Sequence, residues 1–285
     1  MMLHTNRKFM DFKSIIASTR QYNFHSHTQF CDGRADMQTM AEAAVACGMR
    51  HYGFSPHSPL PIESSCNMSQ ESVGDFLAEV KRIQSLPELA SCRFYAAMEV
   101  DYLGEQWGPA IEYFQALPLD YRIGSVHFIP SQDGEYIDID GSSERFTQRL
   151  KDNFRNDIEY VVHTFYAQTL SMINAGGFDI IGHFDKIAHN ASASVKGIVE
   201  SSFYSECIEP VLDAICSRRL TIEMNTKART KFGFFFPSPE HLPRLMESGV
   251  QILVNSDAHY PDKINSSREE AFSILDSIIP EYEKA

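Results

Sequence analysis

The sequence predicts an α/β fold in which seven strands alternate with helices around a parallel sheet, in the manner of a (β/α) barrel. Three observations carry this. Apolar, β-rich segments of strand length recur seven times, amphipathic segments of helical period separate them, and no low-complexity or Pro/Gly/Ser-rich linker divides the chain. One domain over residues 1–285, with a core of about 22–278, is the economical organisation. An open doubly wound sheet is the competing architecture, and the regularity of the alternation favours the barrel.

Taken in order, the predicted strands are YNFHSHT (22–28), HYGFSPH (51–57), CRFYAAMEV (92–100), YRIGSVHFI (121–129), FDIIGHF (178–184), LTIEMNT (220–226) and VQILVNSDAH (250–259). Helical spacing appears around 36–48, 69–86, 105–116, 145–175, 200–217, 239–248 and 267–278. In the first of these, Met40, Ala44 and Cys47 share a face and Gly48 supplies the stop. The segment 130–177 opens with PSQDGEYIDIDGSSERF and is expected to shape a pocket.

Composition narrows the function. The 38 acidic residues outnumber the 25 basic ones, for a formal charge of −13, which disfavours a protein that grips nucleic acid through an extended basic surface and points to a small substrate. No basic, aromatic-rich track for a single strand is present, so a nuclease is the weaker reading. The six cysteines form no CxxC pair and suit reduced thiols in a cytosol. The stretch MMLHTNRKFMDFKSIIASTRQ lacks the apolar core of a secretory signal, and no run reaches the ~18 apolar residues of a membrane span. A cytoplasmic protein is expected; oligomeric state is not encoded in any pattern.

The chemistry lies at the strand ends. Side chains two apart on a strand share a face, so His25 and His27 can aim at one point, and Asp32 follows in the next loop. Strand two ends in His57, strand three in Glu99, strand four in His127 and strand five in His183; strand seven ends in Asp257 and His259. Six of the 11 histidines thus fall on one predicted rim, the rim where βα loops build active sites. Glu99 alone could be a paired core carboxylate, and His127 or His183 a satisfied core histidine, but structural histidines have no reason to prefer one rim. Nine imidazole and carboxylate groups without thiolates exceed the three or four protein ligands of one catalytic zinc and suit several zinc, manganese or iron ions. His4, His51, His163, His189 and His241 receive no role, and Cys31 is assigned to packing.

The segments HSHTQFCDG, GFSPHSPLP, MEVDY, GSVHF, IGHFDKI, IEMNT and NSDAH, in this order between about residues 22 and 262, resemble the polymerase and histidinol-phosphatase (PHP) superfamily. HTQFCDG and SPHSPLP look most like its stand-alone histidinol-phosphate phosphatases. The resemblance implies a distorted seven-stranded barrel with three divalent metal ions. It implies a first metal on His25, His27, Glu99 and Asp257, with Glu99 bridging to a second that also takes His127 and His183, and a third on Asp32, His57 and His259. Asp32 stands where some phosphatases of this type carry histidine.

Phosphate monoester dianions hydrolyse very slowly unaided, and clustered ions would generate hydroxide near neutral pH and neutralise spreading phosphoryl charge, without a covalent enzyme intermediate. Glu99 and Asp257 would act in catalysis by holding those ions. Among cations, Arg229 and Lys231 in NTKARTKFG and Lys186 in GHFDKI could reach the rim; Arg229 is preferred because a planar guanidinium suits bidentate phosphate contact. Asn225 could orient substrate or cap a turn, while Asp101 and Asp185 each follow a proposed ligand by two. Hydrolysis of L-histidinol phosphate to histidinol and phosphate in histidine biosynthesis is the favoured function. A phosphoesterase for another small monoester or nucleotide, and a non-catalytic metal-stabilised module, are the alternatives.

Overall fold

The computed structural model describes residues 10–278; His4, the first nine residues of the amino-terminal stretch and the last seven of the expected domain lie outside the described residues. Strands β1 (Tyr22–Asn23), β2 (His51–Phe54), β3 (Arg93–Asp101), β4 (Tyr121–Ser125), β7 (Ile180–Ile181), β8 (Thr221–Asn225) and β9 (Gln251–Asn255) form one sheet in chain order, every neighbouring pair parallel. A parallel bridge between Ser26 and Ala258 brings the two edges together, with the His27 N–H donating to the Ala258 carbonyl at 2.9 Å. The sheet therefore nearly closes into a barrel, as the alternation predicts.

Several boundaries differ from the expected ones. The segment 22–28 holds a continuous ladder only over β1 and then a single bridge at Ser26, because side chains take intervening backbone donors: Phe24 N–H donates to Asn255 Oδ1 (2.9 Å) and Ser26 N–H to Ser55 Oγ (3.1 Å). The segment 121–129 is two strands. After β4 the chain leaves the sheet, and β5 (Phe128–Pro130) pairs antiparallel with β6 (Tyr136–Asp138) in a separate hairpin. The expected helix 145–175 breaks into α5 (Ser143–Asn153) and α6 (Ile158–Ala175), because Arg155 and Asn156 between them take φ of +52° and +58°, incompatible with a continuing right-handed helix. Of 105–116 only α4 (Glu112–Ala116) is helical, Gly108 and Pro109 preceding it.

Helix α2 (Met37–Ala46) behaves as its sequence demands. Asp36 caps it by accepting from the Thr39 N–H at 2.8 Å, and Gly48, at φ +77°, ends it. Helices α3 (Val73–Gln84), α8 (Ser202–Arg218), α10 (Leu242–Glu247) and α11 (Arg268–Ile278) match predicted segments. Helices α1 (Phe12–Ser18), α7 (Ile187–Ser194) and α9 (Arg229–Phe232) were not legible as helices.

Strand period places the site. On β3 the side chains of Tyr95 and Ala97 join Phe24, Tyr121, Ile123, Ile180 and Leu253 in one buried cluster, while Ala96, Met98 and Val100 pack into another under the helices. Phe12 of α1 closes against the first cluster, edge-on to Phe24 and Tyr121 at centroid separations of 5.1 and 5.4 Å. Continuing two residues at a time from Tyr95, the same face next presents Glu99 and Asp101, a step above an apolar floor.

Arg122 of β4 is 1% exposed, and its guanidinium donates to the carbonyls of Phe114 (2.6 Å) and Leu117 (3.0 Å) at the C-terminal end of α4. Arg122→Met is expected to lower unfolding stability by about 2–4 kcal/mol, since these buried acceptors lose a charged donor. Urea denaturation checks this, and a loss below about 1 kcal/mol would show that the carbonyls find other partners.

Candidate metal centre

All nine rim residues predicted from the sequence converge. The carboxylate of Glu99, fully buried, stands at the middle. Its Oε2 lies 3.1 Å from His25 Nε2 and 3.0 Å from His57 Nδ1, and its Oε1 lies 2.8 Å from His183 Nε2 and 3.3 Å from His127 Nε2. Asp257 Oδ1 is 3.0 Å from His27 Nε2, and Asp32 Oδ1 is 3.1 Å from His259 Nε2. Donor atoms gather within 4.8 Å of one another in overlapping groups: His25, His27 and Asp257; Glu99, His127 and His183; His27, Asp32, His57 and His259; and His57, Asp101 and His127.

Local sequence explains the placements. Asp32 is held by a turn in which Cys31 and Gly33 N–H both bond the Thr28 carbonyl, and a side chain at Gly33 would meet the Thr28 backbone at 2.3 Å. Asp257 takes φ +48°, a left-handed conformation that Asp tolerates better than most residues, just past the end of β9. Cys31 packs with its Sγ 3.3 Å from His27 Nδ1, and burial pushes its thiol up to about 12, so it stays uncharged.

Buried atoms at the centre lack hydrogen-bond partners: His25 Nε2, His27 Nε2, His57 Nδ1, Asp32 Oδ1 and Glu99 Oε2. Leaving such groups unsatisfied is costly, and cations among them would satisfy all five at once. Protonation states differ across the centre. Burial alone would raise the Glu99 carboxyl, yet His25, His127, His57 and the hydrogen bond from His183 hold it well below the usual range. Asp257 is likewise held down by Lys227, His25 and His27 against its burial, while burial beside His259 and His57 keeps His27 neutral. Against their burial, Glu223 and Glu99 hold His25 well above the usual imidazole range and Asp101 and Glu99 raise His127 to about 9, so ions binding there would displace protons, and the N/O donor set without thiolate fits zinc, manganese or iron.

Around the ligands lies a ring of supporting groups. Glu223, fully buried, accepts from His25 Nδ1 at 2.9 Å, Asn225 Nδ2 at 3.0 Å, Asn255 Nδ2 at 3.0 Å and the His183 N–H at 3.2 Å. With Nδ1–H given to Glu223, His25 presents Nε2 to the centre. Asp101 does the same for His127, its Oδ1 2.6 Å from Nδ1. Asp185 instead accepts from the Ser238 N–H, and burial pushes its carboxyl up to about 7. Asn225 takes the capping role, accepting from the Lys227 N–H at 3.0 Å, and its amide donates to Asp257 Oδ2 at 3.2 Å.

The cations are placed differently from expectation. Arg229 is not brought to the site: α9 carries it outward, where its guanidinium donates to Glu270 (2.6 Å) and the Gly233 carbonyl (2.7 Å). Lys227, two residues earlier in the turn after β8, points inward, its Nζ 3.2 Å from both Asp257 Oδ1 and His259 Nε2. Sequence reasoning passed over it. Lys186 pairs with Asp140, and both line the site's cavity of about 770 Å³ together with Lys231 and with Asp138, Gly141, Ser142 and Arg145 of the predicted pocket-shaping segment.

A nearly closed parallel barrel bearing a histidine–carboxylate centre on the C-terminal rim of its strands defines a metal-dependent class of (β/α) barrel protein. The chain belongs to the PHP domain family, whose model matches residues 23–227. A protein of Deinococcus radiodurans named probable histidinol-phosphatase is 24% identical over 253 residues, covering 84% of this chain and 86% of the relative. The fold is shared with a candidate histidinol phosphatase, HisK, from Listeria monocytogenes (TM-score 0.75, 19% identity, 87% of this chain and 99% of that one). It is also shared with the histidinol phosphate phosphatase of Lactococcus lactis in complex with zinc, L-histidinol and phosphate (TM-score 0.69, 18% identity, 91% and 94%). No helix among the described residues is long and apolar enough to cross a membrane.

Proposed function

We propose that this chain, acting as one phosphoesterase domain, hydrolyses a small phosphate monoester, L-histidinol phosphate foremost, to L-histidinol and inorganic phosphate. The observation that carries the reading is the set of five buried nitrogen and oxygen atoms without hydrogen-bond partners at this one centre, three of them imidazole nitrogens beside Glu99 Oε2. The names of the relatives supply the substrate. Three divalent ions fit the residues: one on His25, His27, Glu99 and Asp257; one on Glu99, His127 and His183; one on Asp32, His57 and His259. When bound, they supply a hydroxide nucleophile near neutral pH and positive charge for the phosphoryl oxygens. The six free cysteines fit a reducing compartment, and we place the reaction in the cytoplasm.

The chain's own residues orient and clamp. Glu223 and Asp101 fix the ring orientation of His25 and His127. Lys227, paired with Asp257 and His259 at the cavity wall, takes the phosphate-clamping role expected of Arg229. A mobile ammonium beside the centre can follow a phosphate oxygen as charge accumulates on it. Lys227→Ala is expected to lower kcat/KM by roughly 10–100-fold while leaving metal content unchanged, and steady-state kinetics at parental values would remove Lys227 from the clamp.

The function is tested by phosphate release from L-histidinol phosphate against a panel of sugar phosphates and nucleotides, on protein loaded in turn with zinc, manganese and iron. A kcat/KM for histidinol phosphate far above the panel supports the reading. Comparable or absent turnover of histidinol phosphate rejects it.

A further inference from the structure

Resting on the phosphatase reading above, we infer that the mouth of the metal cavity is an aromatic subsite that takes a flat ring carried by the leaving alcohol. Among the described residues only three large hydrophobic side chains are exposed, and two of them, Phe232 at 37% and Tyr260 at 49%, line this one cavity. Phe232 packs against His189 yet, like Tyr260, keeps part of its ring uncovered where it lines the cavity, so a ligand there can cover both. His189 lines the same wall, its ring 4.2 Å from Phe232 and 5.3 Å from Phe234, and Phe234 stacks on Phe236 at 6.2 Å, so the rings form a continuous bank.

The cavity is mixed in polarity. His57, His127, His183 and Asp257 line it, and so do Phe232, Phe236, His189 and Tyr260. Its volume of about 770 Å³ lies in the range of pockets that enclose a whole small ligand, roughly 300–1,000 Å³, and leaves room past a phosphate for the group it is attached to. Tyr260 follows His259 directly, and Phe232 lies five residues after Lys227, so the segments that set the phosphate end also set the ring end. A ligand with phosphate at one end and a planar ring at the other spans both. Such a ring is an imidazole in histidinol phosphate or a base in a nucleoside monophosphate.

The test compares kcat/KM of zinc-loaded parent, Phe232→Ala, Tyr260→Ala and His189→Ala on four esters: L-histidinol phosphate, L-phenylalaninol phosphate, adenosine 5′-monophosphate and glycerol 3-phosphate. The readout is the ratio of each ring-bearing ester to the ringless one, with bound zinc measured in every variant to show that the centre is intact. The inference predicts a parental ratio well above one for at least one ring-bearing ester, falling about tenfold in Phe232→Ala or Tyr260→Ala at unchanged zinc content. A high ratio confined to the nucleotide upholds the aromatic subsite and overturns histidinol phosphate as substrate. Ratios that stay at the parental value in all three variants, or a parent that prefers the ringless ester, overturn the subsite while leaving the metal-dependent phosphatase standing.

Discussion

Glu99→Gln is expected to lose bound metal and about a thousandfold or more in kcat/KM. The two oxygens of this one side chain face different sets of imidazoles, Oε2 toward His25 and His57 and Oε1 toward His183 and His127. The amide keeps the volume but removes the charge, and its NH2 group brings a donor where a lone pair was needed. Metal ions contribute several kcal/mol of transition-state stabilisation, and about 4 kcal/mol corresponds to a thousandfold in rate. Metal analysis and phosphate release on the same sample check the prediction. A variant that keeps the parental metal complement would remove Glu99 from the centre.

The second large effect is expected at Glu223, which touches no proposed ion. Glu223→Leu strands four buried donors, from His25, Asn225, Asn255 and the His183 backbone. At about 1–3 kcal/mol for each unsatisfied group, the sum approaches the 5–15 kcal/mol that typically holds a domain together, so this variant is expected to fold poorly. Glu223→Gln separates positioning from folding. It preserves an acceptor oxygen but removes the charge that favours Nδ1–H on His25, and groups of this kind typically contribute 10–100-fold in metal affinity. Chelator competition should show zinc held that much more weakly in a variant whose thermal unfolding remains cooperative. Equal zinc affinity in the two proteins would make Glu223 a packing residue.

The rim was legible because strand period and metal chemistry impose the same spacing. His25 and His27, and again Asp257 and His259, sit two apart, and six histidines at predicted strand ends could be counted before any contact was known. The barrel was legible from the alternation, although β1 and β7 are only two residues long in the ladder, since Asn255 and Ser55 take backbone donors just after β1 and Glu223 takes the His183 N–H just after β7. Glu223 escaped notice although it carries the signal that marked Glu99, a lone carboxylate in an apolar strand; it lies two residues short of the strand end, where the search was directed. Lys227 and Arg229 could not be told apart by type and position alone. Which of them faces inward depends on the turn between β8 and α9, set by Asn225 Oδ1 accepting the Lys227 N–H, and on Glu270 of α11, 41 residues on from Arg229, which draws the guanidinium outward.

The number of zinc ions retained per chain after metal loading and exhaustive dialysis, counted by elemental analysis in the parent and in Glu99→Gln, tests the proposed three-ion centre at this rim. Three ions are expected in the parent, with a clear loss in the variant. One ion or none in the parent, or equal numbers in both, would rule out a three-ion centre organised by Glu99.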